Sequence, residues 1–470
     1  MLKIEDIVFA LFLVIAGTAG CIFYNSTTFY LAMTVFAAAV IYLVRNMSKN
    51  AFILAFLVSF FTFLLGGEMI MLLGIKKNDY TFTPEADSHA YTAILISLVF
   101  LMLSYIVVNL YLPKRYGAGN LVTSLPPNTK SIRLISLVFF NITLVFKLIV
   151  NASIVVFVRA NGYYGFYTDY SFPGPTFMLK LATMCTAAFY IFLGTFPSKK
   201  ECRLPVIMYL GATMITILSG RRNDTITAIL LIFIYYCFRN IMYSNHEVWV
   251  SRKVVYVLIL LAPVLLSILN SISALRTGKM NSLMISYFEG LINFFYIQGF
   301  SINVIKWARQ LQDSIPDKFY SFGQLTDFFT TGNFISRLLF NFKSFSGQTA
   351  ERALEGNRMS YLLTYLVFPE RYAQGYGVGS SYIAEAFHDF GYAGVAAVNS
   401  LYGYLLAKFN YINYKNPFIF AISFLMMEGL IMAPRSYADA FIGNILDFSN
   451  IEVFLAIWLI AKFIDLSDEQ

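Results

Sequence analysis

The chain has 470 residues and a formal net charge of +8; 58% of its residues are hydrophobic and only 13% are charged. Ordinary soluble domains carry about 25% charged residues, so this composition, with a mean hydropathy of +0.65, excludes a soluble enzyme. Four scattered cysteines (Cys21, Cys185, Cys202 and Cys237) with no CxxC or His spacing predict neither a metal or redox pair nor a structural disulfide.

Twelve apolar stretches follow in order: 7–23, 29–44, 51–73, 91–112, 134–158, 177–196, 204–218, 225–238, 254–272, 382–409, 418–432 and 451–464. Lipid offers no partner to backbone N–H and C=O groups, so a span must close its own hydrogen bonds as a helix of roughly 20 residues. Several stretches are short and need flanking residues or a thinner bilayer to cross, at modest cost. The 47 Phe and 32 Tyr fit helices facing lipid, with amphipathic rings at headgroup level. The first stretch has only Lys3 as basic flank and reads as a permanent span rather than a cleaved leader. The expected fold is an all-α polytopic membrane protein of about 12 transmembrane helices (11–14), divided into an N-terminal bundle (1–272), one large loop with interfacial helices (273–381) and C-terminal helices (382–470).

Alternate short loops carry sixteen Lys and Arg on one side and seven on the other. The positive-inside rule puts the richer side in the cytoplasm. Both termini are then cytoplasmic and the large loop lies outside. Arginines on the outer side work against this bias: Arg221 and Arg222 in the tight turn Ser219 to Asp224, then Arg276, Arg352, Arg358, Arg371 and Arg435. A guanidinium is a permanently charged planar fork that holds phosphate bidentately, so the set suits a pyrophosphate at the membrane face. Snorkelling to headgroups, or pairing with Asp224, Glu351, Glu355 and Asp439, is the alternative use.

Within the loop, Ile285, Phe288, Ile292, Phe295, Ile297 and Phe300 recur near helical spacing, which predicts a helix at the interface or a thirteenth span. The segment Tyr361 to Phe368 is apolar but too short to cross. The loop closes on Gly375, Gly377 and Gly379, which permit close backbone approach to a ligand, and Ser380 and Ser381, of which Ser380 is expected to cap the next helix. On that helix Glu385, His388 and Asp389 fall at i, i+3 and i+4, on one face near its outer end. Ionisable groups inside a span are costly and usually face a cavity or a partner, so the triplet is a candidate site. A cluster that merely satisfies itself is the structural alternative. The glycines follow no strand and precede no Walker lysine, which argues against a nucleotide loop.

In Gly379-x-Ser381, Glu385, Phe390-Gly391 and Gly394, with many spans, a late outward loop and outward arginines, the sequence resembles the O-antigen polymerase, or oligosaccharide repeat-unit polymerase, family called Wzy. Where relatives have Asn before Phe-Gly, this chain has His388-Asp389. The resemblance implies a bacterial inner-membrane glycosyltransferase with a GT-C-like helical fold, acting on undecaprenyl pyrophosphate-linked glycan as donor and acceptor at the periplasmic face. No DxD-like pair sits in a convincing outward position, so no metal is expected; no cofactor and no nucleic-acid partner are expected either, while contact with membrane lipid and a chain-length-regulating co-polymerase as a possible partner are. Transfer would be en bloc, with Glu385 or His388 taking the acceptor proton, Glu385 favoured, and Arg276 with Arg221, Arg222, Arg358, Arg371 and Arg435 holding the leaving pyrophosphate beside Gly377, Gly379 and Ser381. A ligase of the same superfold is the main enzymatic alternative. A flippase or transporter would more often show related halves and charges near the midplane.

Overall fold

The computed structural model describes residues 4–116, 129–242, 248–251, 287–330, 347–411 and 416–468, with residue 345 and nine positions between 253 and 267. Most of the expected span 254–272, together with Arg276 and Lys279, lies outside the described residues. Every regular element among the described residues is helical. Nine of these helices are long and apolar enough to cross a membrane. Two shorter ones, Ala440–Leu446 and Phe448–Asp465, bend by 53° at their junction and together could make a tenth span. The chain is therefore a multi-pass membrane protein.

It divides into two compact units. The first comprises Met1–Ala118, Leu291–Tyr411 and Leu430–Ala440. Its axis is helix α4 (Pro84–Tyr116), against which α1 (Ile4–Phe23), α2 (Thr27–Val44) and α15 (Tyr382–Phe409) pack. Helix–helix association in lipid gains little from apolar burial and relies on close approach and buried hydrogen bonds. Gly403 of α15 supplies the approach, because a Cβ there would come within 2.9 Å of the Ser104 Cβ on α4. Beside it the Ser104 hydroxyl donates to the Ser400 carbonyl at 2.6 Å.

The other unit comprises Gly119–Gly290, Ile412–Gly429 and Phe441–Gln470. It is built on α5 (Thr129–Thr168), which breaks at Gly162 (φ 81°), packed on α6 (Thr176–Gly194) and α18 (Phe448–Asp468). A π-stacked pair, Phe189 and Tyr209, with ring centroids 4.2 Å apart, fills its core. Lys147 is held inside by the Thr186 hydroxyl at 3.0 Å and by the Tyr209 ring.

The expected tenth span, 382–409, is not one straight helix. Its dihedrals leave the helical region at Phe390 and Gly391, the latter at φ 61° and ψ −154°. Twenty residues of straight helix would separate Tyr382 from Tyr402 by about 30 Å, yet their ring centroids lie 5.0 Å apart. Tyr382 also donates its hydroxyl hydrogen to Asn399 at 2.7 Å. The segment is a helical hairpin: a short arm over residues 382–389 folds back on a long arm that packs against α4. The apolar pattern runs through both arms and hides the turn.

The helix expected around residues 285–300 is found as α9 (Tyr287–Gln298), and a separate α10 (Ser301–Gln310) follows after Gly299 and Phe300. Gly299 packs directly on Gly67, within α3 (Ala51–Leu72), where no side chain would fit on either. Three short helices, α11 (Gly323–Thr330), α12 (Ala350–Glu355) and α13 (Met359–Val367), then α14 (Pro369–Ala373), lead to the glycine loop.

Candidate functional site

The glycine loop enters the short arm along a path that glycine leaves open. Gly375 and Gly379 adopt φ of 89° and 82°, which side-chain-bearing residues rarely tolerate. The Val378 N–H between them donates to the Thr364 hydroxyl at 3.1 Å. Gly379 lies against the Arg435 backbone, with its missing Cβ 3.5 Å from the Arg435 carbonyl oxygen, whereas Gly377 faces open space. Ser381 takes the N-cap position, but its hydroxyl caps nothing. The expected cap by Ser380 is absent for a physical reason: its hydroxyl donates to Glu385 Oε1 at 2.6 Å. Glu385 Oε2 accepts the Ala438 N–H at 2.8 Å, and the side chain is wholly buried.

The three ionisable residues of the short arm thus diverge. Asp389 accepts the backbone N–H groups of Tyr320 at 3.0 Å and Ser321 at 2.7 Å. Asp439, next to Ala438, accepts those of Gln324 at 2.8 Å and Leu325 at 2.9 Å. These are free N–H groups at the start of α11, where the helix dipole also favours a carboxylate. Burial nevertheless pushes the Asp439 carboxyl above the usual aspartate range. Helix α11 is tied from its other end as well, since Asp327 pairs with Arg358 Nε at 2.5 Å and the Arg358 guanidinium lies over the Tyr437 ring at 4.6 Å. Glu385, Asp389 and Asp439 together pin three chain segments to one another.

His388 of the triplet opens onto a cavity. The space is about 260 Å³ and is lined by His89, Ala308, Gln312, Asp313, Ala384, Phe387 and His388. His388 meets the Tyr320 ring at 5.3 Å, edge to face. His89 is bonded to the Tyr392 hydroxyl at 2.9 Å and packs on Phe387 at 4.1 Å. Gln312 and Asp313 are exposed at the mouth.

The arginines singled out in the sequence fall in several places. Arg435 is half-buried and donates to Gln298 at 2.8 Å, with its guanidinium 5.6 Å from the Phe63 ring centroid. Arg371 is exposed and borders the rings of Phe368 and Tyr376 at 5.5 and 5.9 Å. Arg358 is engaged with Asp327 as described. Arg221 and Arg222 belong to the other unit, where Arg221 pairs with Asp224 at 3.0 Å and lies over Phe166 at 5.4 Å.

A buried charge cluster escaped the sequence reading. Lys306 on α10 is 1% exposed and bridges Glu68 at 3.0 Å and Asp87 at 2.8 Å. The Tyr91 hydroxyl donates to the same Glu68 carboxylate. Glu68 follows the Gly66-Gly67 pair directly after a π-helical turn, Phe61–Leu65, a feature frequent at functional sites. An acid inside the apolar stretch 51–73 was the available signal, but its partner Lys306 sits far along the chain. Among the described residues, no three His, Cys, Asp or Glu side chains are grouped to hold a metal ion.

No curated protein and no solved structure matches this chain. The family model described as O-antigen polysaccharide polymerase Wzy matches residues 4–465, spanning the glycine loop, the helical hairpin and the arginines of both units. The chain belongs to the O-antigen polysaccharide polymerase Wzy family.

Proposed function

We propose that the protein polymerises undecaprenyl pyrophosphate-linked repeat units of a surface polysaccharide by glycosyl transfer at the periplasmic face of a bacterial inner membrane. Family membership across residues 4–465 carries this reading. The hydroxyl oxygen of one lipid-linked repeat attacks the anomeric carbon of the growing chain on another. The anomeric C–O bond to pyrophosphate breaks, its electron pair leaves with undecaprenyl pyrophosphate, and the hydroxyl proton passes to a base.

His388 is the better placed base, which reverses the preference drawn from the resemblance. A general base must come within hydrogen-bond reach of the proton it takes. Glu385 is buried with both oxygens occupied, whereas His388 lines a cavity. Glu385 then acts as a positioning residue, anchoring the short arm to the Arg435–Asp439 segment. Arg435 and Arg371 offer guanidinium groups for the charge that builds on the leaving pyrophosphate, the role of a preorganised electrostatic clamp. Arg221 and Arg222 are further candidates for phosphate, and Arg276 keeps the role implied by its outward position. The cytoplasmic termini and the outward loop rest on the basic-residue count.

Deleting the gene and running surface polysaccharide on a gel tests the reading. Glycan capped by a single repeat is expected. Complete absence of glycan would point to a flippase or a ligase.

A further inference from the structure

We infer that the cavity holding His89 and His388 is a subsite for a single neutral or N-acetylated sugar ring, resting on the polymerase reading only for which glycan supplies that ring. Its size is the first argument. At about 260 Å³ it falls below the roughly 300 Å³ at which pockets begin to take drug-sized ligands. One ring fits, and an extended oligosaccharide would continue out of the mouth.

The lining is the second. Sugars offer hydroxyls on their edges and C–H groups on their faces. The cavity answers with the carboxylate of Asp313, the amide of Gln312, two imidazoles and the ring of Phe387. Gln312 Oε1 is held by Arg309 at 2.5 Å, which leaves its NH2 group to donate. His89 is fixed at Nδ1 by Tyr392, which leaves Nε2 for a ligand. The exposed Asp313 carboxylate accepts hydrogen bonds from sugar hydroxyls and repels a uronic acid.

Charge is the third argument, and it separates this place from a phosphate site. The guanidinium of Arg309, bonded to Gln312 at 2.5 Å and 6.0 Å from the Phe387 ring centroid, is neutralised by Glu85 at 2.6 Å. Lys306, one turn earlier on α10, is neutralised by Glu68 and Asp87. No lining residue is a lysine or arginine. The walls are also preorganised: His89, Phe387 and Tyr392 pack as a ring cluster, with Phe387 to Tyr392 at 4.9 Å. Little ordering is left for binding to accomplish. Ala384, Phe387 and His388 stand on the short arm whose Glu385 is bonded to the backbone of Ala438, three residues from Arg435. A ring bound here therefore lies along the arm that also leads to Arg435, a candidate phosphate-binding residue.

The test uses purified full-length protein in detergent. The probe is the free repeat-unit oligosaccharide released by mild acid from the host's own lipid-linked repeats, carrying neither lipid nor pyrophosphate. Titration followed by saturation-transfer NMR should show millimolar or tighter binding. Asp313→Asn and Gln312→Ala, both at the exposed mouth and so safe for folding, should each weaken it about tenfold, the loss expected for one sugar hydrogen bond. Arg435→Lys should leave it unchanged. In polymerisation assays the same two variants should raise the acceptor KM about tenfold with kcat within about twofold, the pattern of lost ground-state binding. No binding by the wild-type protein, or binding indifferent to both mouth variants, overturns the subsite. Sensitive binding without any polymer formation would keep the subsite and sink the polymerase reading instead.

Discussion

Gly391 is the sharpest single-residue test of the hairpin. Its φ of 61° and ψ of −154° lie in a region open essentially to glycine alone, where another residue costs on the order of 1–3 kcal/mol. Nothing lies within 4 Å of the position a Cβ would take, so the whole penalty of Gly391→Ala is backbone strain rather than a clash. Opposing it are the Tyr382–Asn399 hydrogen bond at 2.7 Å and the packing of Tyr382 on Tyr402. The variant should shift closure of the short arm toward the open form by roughly 5- to 150-fold. Gly377→Ala is the matched control, because that glycine also faces open space and has no positive φ. Thermal unfolding in detergent and the polysaccharide ladder of a complemented deletion strain read both effects. Gly391→Ala should lower the midpoint by a few degrees and shorten or abolish the ladder, while Gly377→Ala should leave the midpoint alone. If Gly391→Ala matched wild type in both measurements, the turned-back arm would not be the working conformation.

Three further outcomes concern single charged side chains. Lys306→Met strands the Glu68 and Asp87 carboxylates and should destabilise the protein by about 3–5 kcal/mol, read as loss of folded material on size-exclusion chromatography; Glu68→Gln should be milder, since Lys306 keeps Asp87. Burial raises the Asp439 carboxyl, so its protonated form is favoured in the fold, and its contribution is full below the ordinary aspartate range and fades as pH rises through the folded value. The melting temperature of wild type should therefore drop relative to Asp439→Asn as pH rises from 4, and a constant difference would refute this. Arg435→Lys keeps the charge but not the planar fork, and should lose most polymer at equal expression; a wild-type ladder would reduce Arg435 to packing on Phe63 and Gln298.

The spans of the N-terminal half were readable because lipid-facing helices advertise themselves by long apolar runs. The hairpin was not, since Phe390 and Gly391 interrupt the helix without interrupting hydropathy. The charges of the short arm drew notice in the sequence, but spacing alone put Glu385, His388 and Asp389 on a common face. Tertiary partners then drew them apart: Ser380 and the Ala438 amide took Glu385, the amides of Tyr320 and Ser321 took Asp389, and His388 was left at the cavity. His89 and Asp313 join that cavity from distant segments, and no local pattern links either to residue 388. The Lys306 cluster was hidden for the same reason, because a buried lysine in a mildly polar stretch looks like a solvated one until its carboxylates are located.

The most direct measurement is polymerisation by the purified protein supplied only with the lipid-linked repeat units of its host. Wild type should yield a ladder of products longer than one repeat, released with undecaprenyl pyrophosphate, and His388→Ala should stop the ladder while still binding free repeat-unit glycan. A ladder of wild-type length and rate from His388→Ala would contradict the assignment of the reaction to this cavity.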